Sequence, residues 1–199
     1  MVQKLIDIEI NNQLLTISGA ISLKLQVASE FEYIGTQEII IYNNAKVFHY
    51  VFANYFTNEK QERAIYRLFF LQHEYFLPEI DKTYEYSSKN IVNLGDILWQ
   101  RDSFIDQTSD YESEPKSDAY QLMTFVEKNN FKLPSKILIN RLVTMLNEEK
   151  NQELLLLYFE EVTEDKYKQL ISNEKIVEEQ WEEEKIHLQK KALSAFKIL

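Results

Sequence analysis

Residues 6–27 alternate apolar and polar side chains with a period of two, and this alternation constrains the fold more than any other feature of the chain. Ile6, Ile8 and Ile10 are interleaved with Asp7 and Glu9, the pattern of a half-buried strand whose side chains point to opposite faces. Asn11-Asn12 follows, a dipeptide that tolerates the positive φ of a two-residue hairpin turn. With that turn Ile8 faces Leu15 and Ile6 faces Ile17, apolar against apolar. Leu15, Ile17, Gly19, Ile21, Leu23, Leu25 and Val27 keep one parity. They predict one long strand, bent or bulged at Gly19.

The β pattern continues. Phe31 and Tyr33 begin a short strand ended by Gly35, and Glu38–Tyr42 and Lys46–Phe56 flank Asn43-Asn44-Ala45 as a second hairpin. Residues 47–56 are apolar on both parities, as in a central strand covered on both sides. A curved antiparallel sheet, a small sandwich or a half-open barrel is expected. A helix is then expected at about 58–77. Asn58 and Gln61 suit a capping box, Ile65, Leu68, Phe69, Gln72 and Phe76 recur at helical spacing, and Pro78 ends the run. Thr83–Ser87 reads as one more strand and Asp96–Ile105 as a short helix after Gly95.

Residues 106–117 are polar, acidic and aperiodic, which predicts a linker or exposed loop. Everything beyond reads as helix. Asp118 with Gln121 caps the first, Pro134 opens a second carrying Leu138, Leu142 and Met145, and residues 151–162 contain the apolar run Leu154–Phe159. Thr163 starts a short fourth helix ending near Ser172. A long fifth spans about 174–199, with Val177, Trp181, Leu188, Ala192, Ala195 and Leu199 on one face. The expected fold class is α+β: an N-terminal antiparallel β-sheet (sandwich or half-barrel) with one packed helix, then a C-terminal all-helical bundle. The expected division is a β-rich domain over 1–105, an acidic linker or loop over 106–117 and a helical domain over 118–199.

Composition removes several functional classes. The chain has three glycines, Gly19, Gly35 and Gly95, where about 14 are usual for its length. Phosphate-cradling loops need several glycines close together, so nucleotide-binding fingerprints are absent. There is no cysteine, hence no disulfide and no thiolate chemistry. The net charge of −10 disfavours nucleic acid and anionic membranes and favours a basic protein partner. No run approaches the roughly 18 apolar residues of a membrane span. Asp7 and Glu9 fall where an export signal would place its apolar core. A cytoplasmic location is expected.

Candidate chemistry is sparse. His49, His73 and His187 are far apart. Gln72-His73-Glu74 begins like a zinc-helix motif but lacks the second histidine one turn on. His73 is expected to be an exposed or partly packed helical residue, and His49 a packed polar residue in an aromatic strand. No Gly-x-Ser-x-Gly pattern occurs. Glu182-Glu183-Glu184 ahead of Lys190-Lys191 complements a helix dipole and needs no other explanation. No metal, cofactor or catalytic residue is assigned.

The remaining signal is aromatic and acidic. Tyr and Phe, twelve of each, concentrate in residues 31–86, and tyrosines beside acidic residues suit protein-binding patches. The expectation is a non-enzymatic, acidic protein that binds another, basic protein, in its most concrete form an immunity or antitoxin-type neutraliser. The candidate partner-binding residues are Asp110, Tyr111, Glu112 and Glu114 in the loop, with Tyr84 and Tyr86 as anchors. Two alternatives are a structural subunit of a phage-like or secretion assembly and a metal-dependent hydrolase built from scattered carboxylates.

Overall fold

The computed structural model describes residues 6–86, 90–172 and 175–199. Its first hairpins are β1 (Ile6–Asn11), β2 (Leu14–Gly19) and β3 (Leu23–Val27), followed by the long strands β4 (Glu32–Ile41), β5 (Ala45–Thr57) and β6 (Arg63–Phe76). A hairpin of β7 (Ile91–Leu94) and β8 (Ile97–Gln107) leads through a 3-10 turn at Thr108–Ser113 into α1 (Asp118–Lys128). Then come the two-residue β9 (Phe131–Lys132), β10 (Lys136–Met145), β11 (Gln152–Glu161) and α2 (Glu164–Leu170). A small hairpin of β12 (Ile171–Ser172) and β13 (Lys175–Ile176) precedes α3 (Glu178–Ser194) and β14 (Phe196–Ile198).

Two sheets dominate. The larger has eight strands, ordered β4-β5-β6-β11-β10-β8-β7, with β9 beside β6; the smaller has four, ordered β1-β2-β3-β14. Ile6, Leu15, Ile17 and Leu25 of the small sheet pack on Phe52, Phe69, Leu71, Leu154, Leu156 and Trp99 of the large one, with Trp181, Leu188 and Ala192 of α3 closing the same core. The opposite face of the large sheet carries Val51, Leu68, Phe70, Leu155 and Leu157, covered by Leu122 and Val126 of α1. A sheet sandwiched in this way buries its central strands on both faces.

This architecture overturns the α+β expectation: 52% of the described residues are strand and 22% helix, and they form no C-terminal all-helical bundle. The helix expected at about 58–77 is strand β6, the helix expected after Pro134 is β10, and the one expected over 151–162 is β11. All three pair antiparallel with long-range partners, as in Leu156↔Leu71 and Leu142↔Leu156. The reason is specific. A strand buried on both faces loses its alternation, so Leu154–Phe159 reads as apolar all round. In β6 a register shift opposite Asn54/Tyr55 adds one residue. It places Ile65 and Leu68 in one core cluster, which imitates a helical i, i+3 spacing. Asn58 caps no helix. Its Oδ1 accepts from the N–H groups of Lys60 and Glu62, both at 2.9 Å, and closes the β5–β6 turn.

Smaller differences follow the same logic. The first turn uses Asn12, at φ 55°, so Ile8 pairs with Ile17 and Ile10 with Leu15. The register moves by two residues and parity is kept. The expected long strand does not bend at Gly19. It ends there and β3 turns back, pairing Ile17 with Leu23. Gly35 does not end a strand but sits at a bulge within β4. In place of the helix expected over 96–105, Ile97–Gln107 form β8, with Gly95 and Asp96 at φ 61° and 59° making the turn from β7.

Thr83–Tyr86 is an extended strap outside any ladder, while Ser87 lies outside the described residues, as do the first five residues and Glu174. Ser117, not Asp118, caps α1, its Oγ accepting from Tyr120 N–H. Thr163 caps α2. The long final helix is α3, and the chain after it returns to strand as β14. The large sheet draws strands from both sides of residues 106–117, since β6 pairs with β11. Among the described residues no helix is long and apolar enough to cross a membrane.

Candidate functional site

Polar side chains line up in register across the face of the large sheet that α1 covers. Gln37 of β4, His49 of β5 and Gln72 of β6 are direct cross-strand neighbours. His49 Nε2 donates to Gln72 Oε1 at 3.0 Å, and its Nδ1 accepts from Gln37 Nε2 at 2.8 Å. Both ring nitrogens are therefore used by the neutral imidazole. Burial of this ring, which has no solvent exposure, lowers its pKa from 6.5 to about 4. Gln72 Nε2 in turn donates to Glu74 Oε2 at 2.8 Å and to Asp118 Oδ2 at 3.2 Å.

One row further along, Glu74 of β6 lies directly opposite Glu153 of β11. They are 6% and 2% exposed, and the strap after β6 covers them. Tyr84 donates to Glu74 Oε1 at 2.9 Å, and Tyr86 to both oxygens of Glu153 at 2.9 and 2.8 Å. Alternate residues of an extended segment share one side, which is why positions 84 and 86 reach two adjacent strands. Burial first, then the neighbouring carboxylates, raises Glu74 to about 7 and Glu153 to about 8. Both tyrosine hydroxyls are pushed well above their ordinary value, chiefly by burial. On the next strand Arg141 pairs with Asp102, its cross-strand neighbour, at 2.8 Å and lies over the rings of Tyr86 and Phe104.

Next to the His49–Gln72 row, on the side away from Glu74 and Glu153, a cavity of about 220 Å³ opens. Phe70, Leu155, Leu157 and Phe159 form part of its apolar lining; His49, Gln72, Asp106, Tyr111, Asp118 and Arg141 supply its polar groups. Tyr111 folds back from the 3-10 turn to donate to Asp106, and burial raises its hydroxyl pKa. Asp106, Tyr111 and Asp118 are half-exposed whereas His49 and Gln72 are buried, so the cavity opens toward the 3-10 turn and the start of α1.

The residues singled out from sequence fall into two groups. Tyr84 and Tyr86 turn their hydroxyls inward as strap fasteners, and Tyr111 also points inward. Asp110, Glu112 and Glu114 stay exposed, with Glu114 accepting from Tyr42 at 2.5 Å. His73 is not an exposed helical residue. It is fully buried in β6 and stacks on Phe48 at 5.8 Å, on the opposite side of the sheet from His49. His187 is exposed on α3, so the histidines do not converge. Among the described residues no three His, Asp or Glu side chains group as metal ligands. Sequence reading missed Gln72, Glu74 and Glu153 as a unit. The available signal was a polar pair two residues apart inside an apolar run.

The fold and site define a helix-covered β-sandwich with a polar, carboxyl-rich interior on one face. No family model, curated protein or solved structure matches the chain.

Proposed function

We propose that the protein binds a basic protein partner through the loop end of its large sheet, in the manner of a neutralising protein. The observation that carries this reading is a held acidic surface. Backbone hydrogen bonds gather four segments at one end: Tyr42 N–H to Lys116 O, Leu77 N–H to Asn44 O, Phe76 N–H to Asn151 O and Tyr84 N–H to Lys150 O. On these segments Glu79, Asp81, Glu85, Glu114, Glu148 and Glu149 are exposed, against Lys82, Lys116 and Lys150. Asp110 and Glu112 extend the acidic surface along the 3-10 turn. Tyr42, 46% exposed, offers an aromatic anchor within it. A preorganised acidic surface steers a basic partner and loses little entropy on docking.

The test is recovery of partners from a host lysate at low salt and at ~0.5 M salt, where exposed charges are screened. One basic protein retained at low salt and lost at high salt supports the reading. Equal recovery by a variant with Glu79, Asp81, Glu114 and Glu148 reversed to lysine refutes it.

A second reading, a subunit of a larger assembly, draws on the β7 edge. Ile91 and Leu98 there are 49% and 65% exposed, and an uncovered apolar edge invites strand pairing. Concentration-dependent self-association abolished by Leu98→Lys would favour it.

A further inference from the structure

We infer that the cavity beneath α1 and the 3-10 turn is a binding site for an organic cation, an ammonium or guanidinium group on a short apolar stem. The head would lie between Asp106 and Asp118, and the stem on Phe70, Leu155, Leu157 and Phe159.

Size, charge and lining each lead to this class. Benzene fills an apolar cavity of about 150 Å³, so the 220 Å³ here suits a ligand of roughly ten non-hydrogen atoms. Among the described residues Arg141 is the one Lys or Arg lining the cavity, and its Nη2 pairs with Asp102. Asp106 receives the Tyr111 hydroxyl. Asp118 receives the Gln72 amide and the Ala119 N–H. Each of these partners is a neutral dipole, and among the described residues neither carboxylate forms an ion pair. A carboxylate has about four acceptor positions, which leaves room for a further donor on each. Phe70 and Phe159 present rings to the same space, and a cation gains from an aromatic face. His49, neutral with both nitrogens engaged, adds no positive charge. Gln72 links Asp118 to Glu74, and the charge of Asp118 contributes to the upward shift of both Glu74 and Glu153.

The same head-group chemistry comes from two sources: a free amine, or a lysine or arginine side chain of the docking partner proposed above. Only the second rests on that docking. The full-length chain is titrated calorimetrically with phenethylamine and agmatine, with 2-phenylethanol and phenylacetate as neutral and anionic counterparts. The amines are expected to bind at least tenfold more tightly than the alcohol, and phenylacetate not to bind. Asp106→Asn and Asp118→Asn should each weaken amine binding about tenfold or more. Equal affinity for phenethylamine and 2-phenylethanol overturns the inference, as does an absence of amine binding. Because this comparison uses the unaltered chain, it decides the matter even if a variant misfolds. Competition of phenethylamine by Nα-acetyl-lysine amide or Nα-acetyl-arginine amide assigns the site to a partner's side chain; amine binding without such competition assigns it to a free amine. Reversal of Glu79, Asp81 and Glu148 should abolish docking while leaving amine affinity unchanged, so the two readings fail separately.

Discussion

Glu74 and Glu153 face each other across the β6–β11 ladder, both buried, each held by one tyrosine of the strap that covers them. Like charges directly opposite on neighbouring strands repel, and burial penalises each carboxylate further. The two tyrosine hydroxyls and Gln72 Nε2 offset part of that cost by donating to the charged oxygens.

Stability should therefore fall as pH rises through neutrality. Burial raises Glu74 from 4.5 to about 7 and Glu153 from 4.5 to about 8. Between the ordinary and the folded value the folded chain holds protons that the unfolded chain has released. The stability this provides is fully present below about 4.5 and is lost as pH climbs through the folded values. His49 acts in the other sense: lowered from 6.5 to about 4, it penalises the fold as pH drops below 6.5. Above about 6.5 only the carboxyls of this group act, so the urea midpoint should be lower at about pH 8.5 than at about pH 6.5. A flat profile over that interval would show that these carboxyls are not buried as described.

Substitutions at this pair should separate charge from hydrogen bonding. Glu153→Gln keeps an acceptor for Tyr86 and removes the ionisation cost. It should stabilise the protein at about pH 8.5 by on the order of 1 kcal/mol or more, and less near pH 5. Tyr86→Phe leaves Glu153 without its donor and should cost about 1–3 kcal/mol. Chemical denaturation at the two pH values reads both effects.

Gly35→Ala should destabilise the fold by about 1–3 kcal/mol. Gly35 lies at the β4 bulge with φ +140°, and an added Cβ would come within 3.0 Å of Phe125 Cζ on α1. The backbone conformation and the close seat of α1 both require glycine there. A melting temperature matching the wild type would contradict this account.

Leu156→Ala should cost about 2–5 kcal/mol, because Leu156 is 2% exposed in the core between the two sheets. Amide exchange offers an independent check. The N–H groups of residues 154–159, in a central strand, should exchange only on global unfolding.

The N-terminal alternation was legible from residues 6–27 because one face of that small sheet meets solvent, so polarity records orientation residue by residue. Asn12, Asn43 and Asp96 all take positive φ in turns, and two of these turns were marked by their asparagines. Thr163 and the apolar face of α3 were readable for the same reason: each signal is local. The acidic residues 110, 112 and 114 were visible as a surface charge run, and they are exposed. By contrast, β6, β10 and β11 carry no local mark of strand.

What the sequence by itself determined is the set of short-range features: the turns at Asn12 and Asn43, the Thr163 cap, the helices that open at residues 118 and 164, the absence of phosphate loops and thiols, and the acidic balance. Tertiary structure alone decided that the central apolar runs are strands, since burial on both faces erases the period that distinguishes strand from helix. It alone also decided the site. Gln37, His49 and Gln72, like Glu74 and Glu153, become neighbours only through the registers of β4, β5, β6 and β11. Those registers are set by long-range pairing and by which side chains the small sheet and α1 can cover.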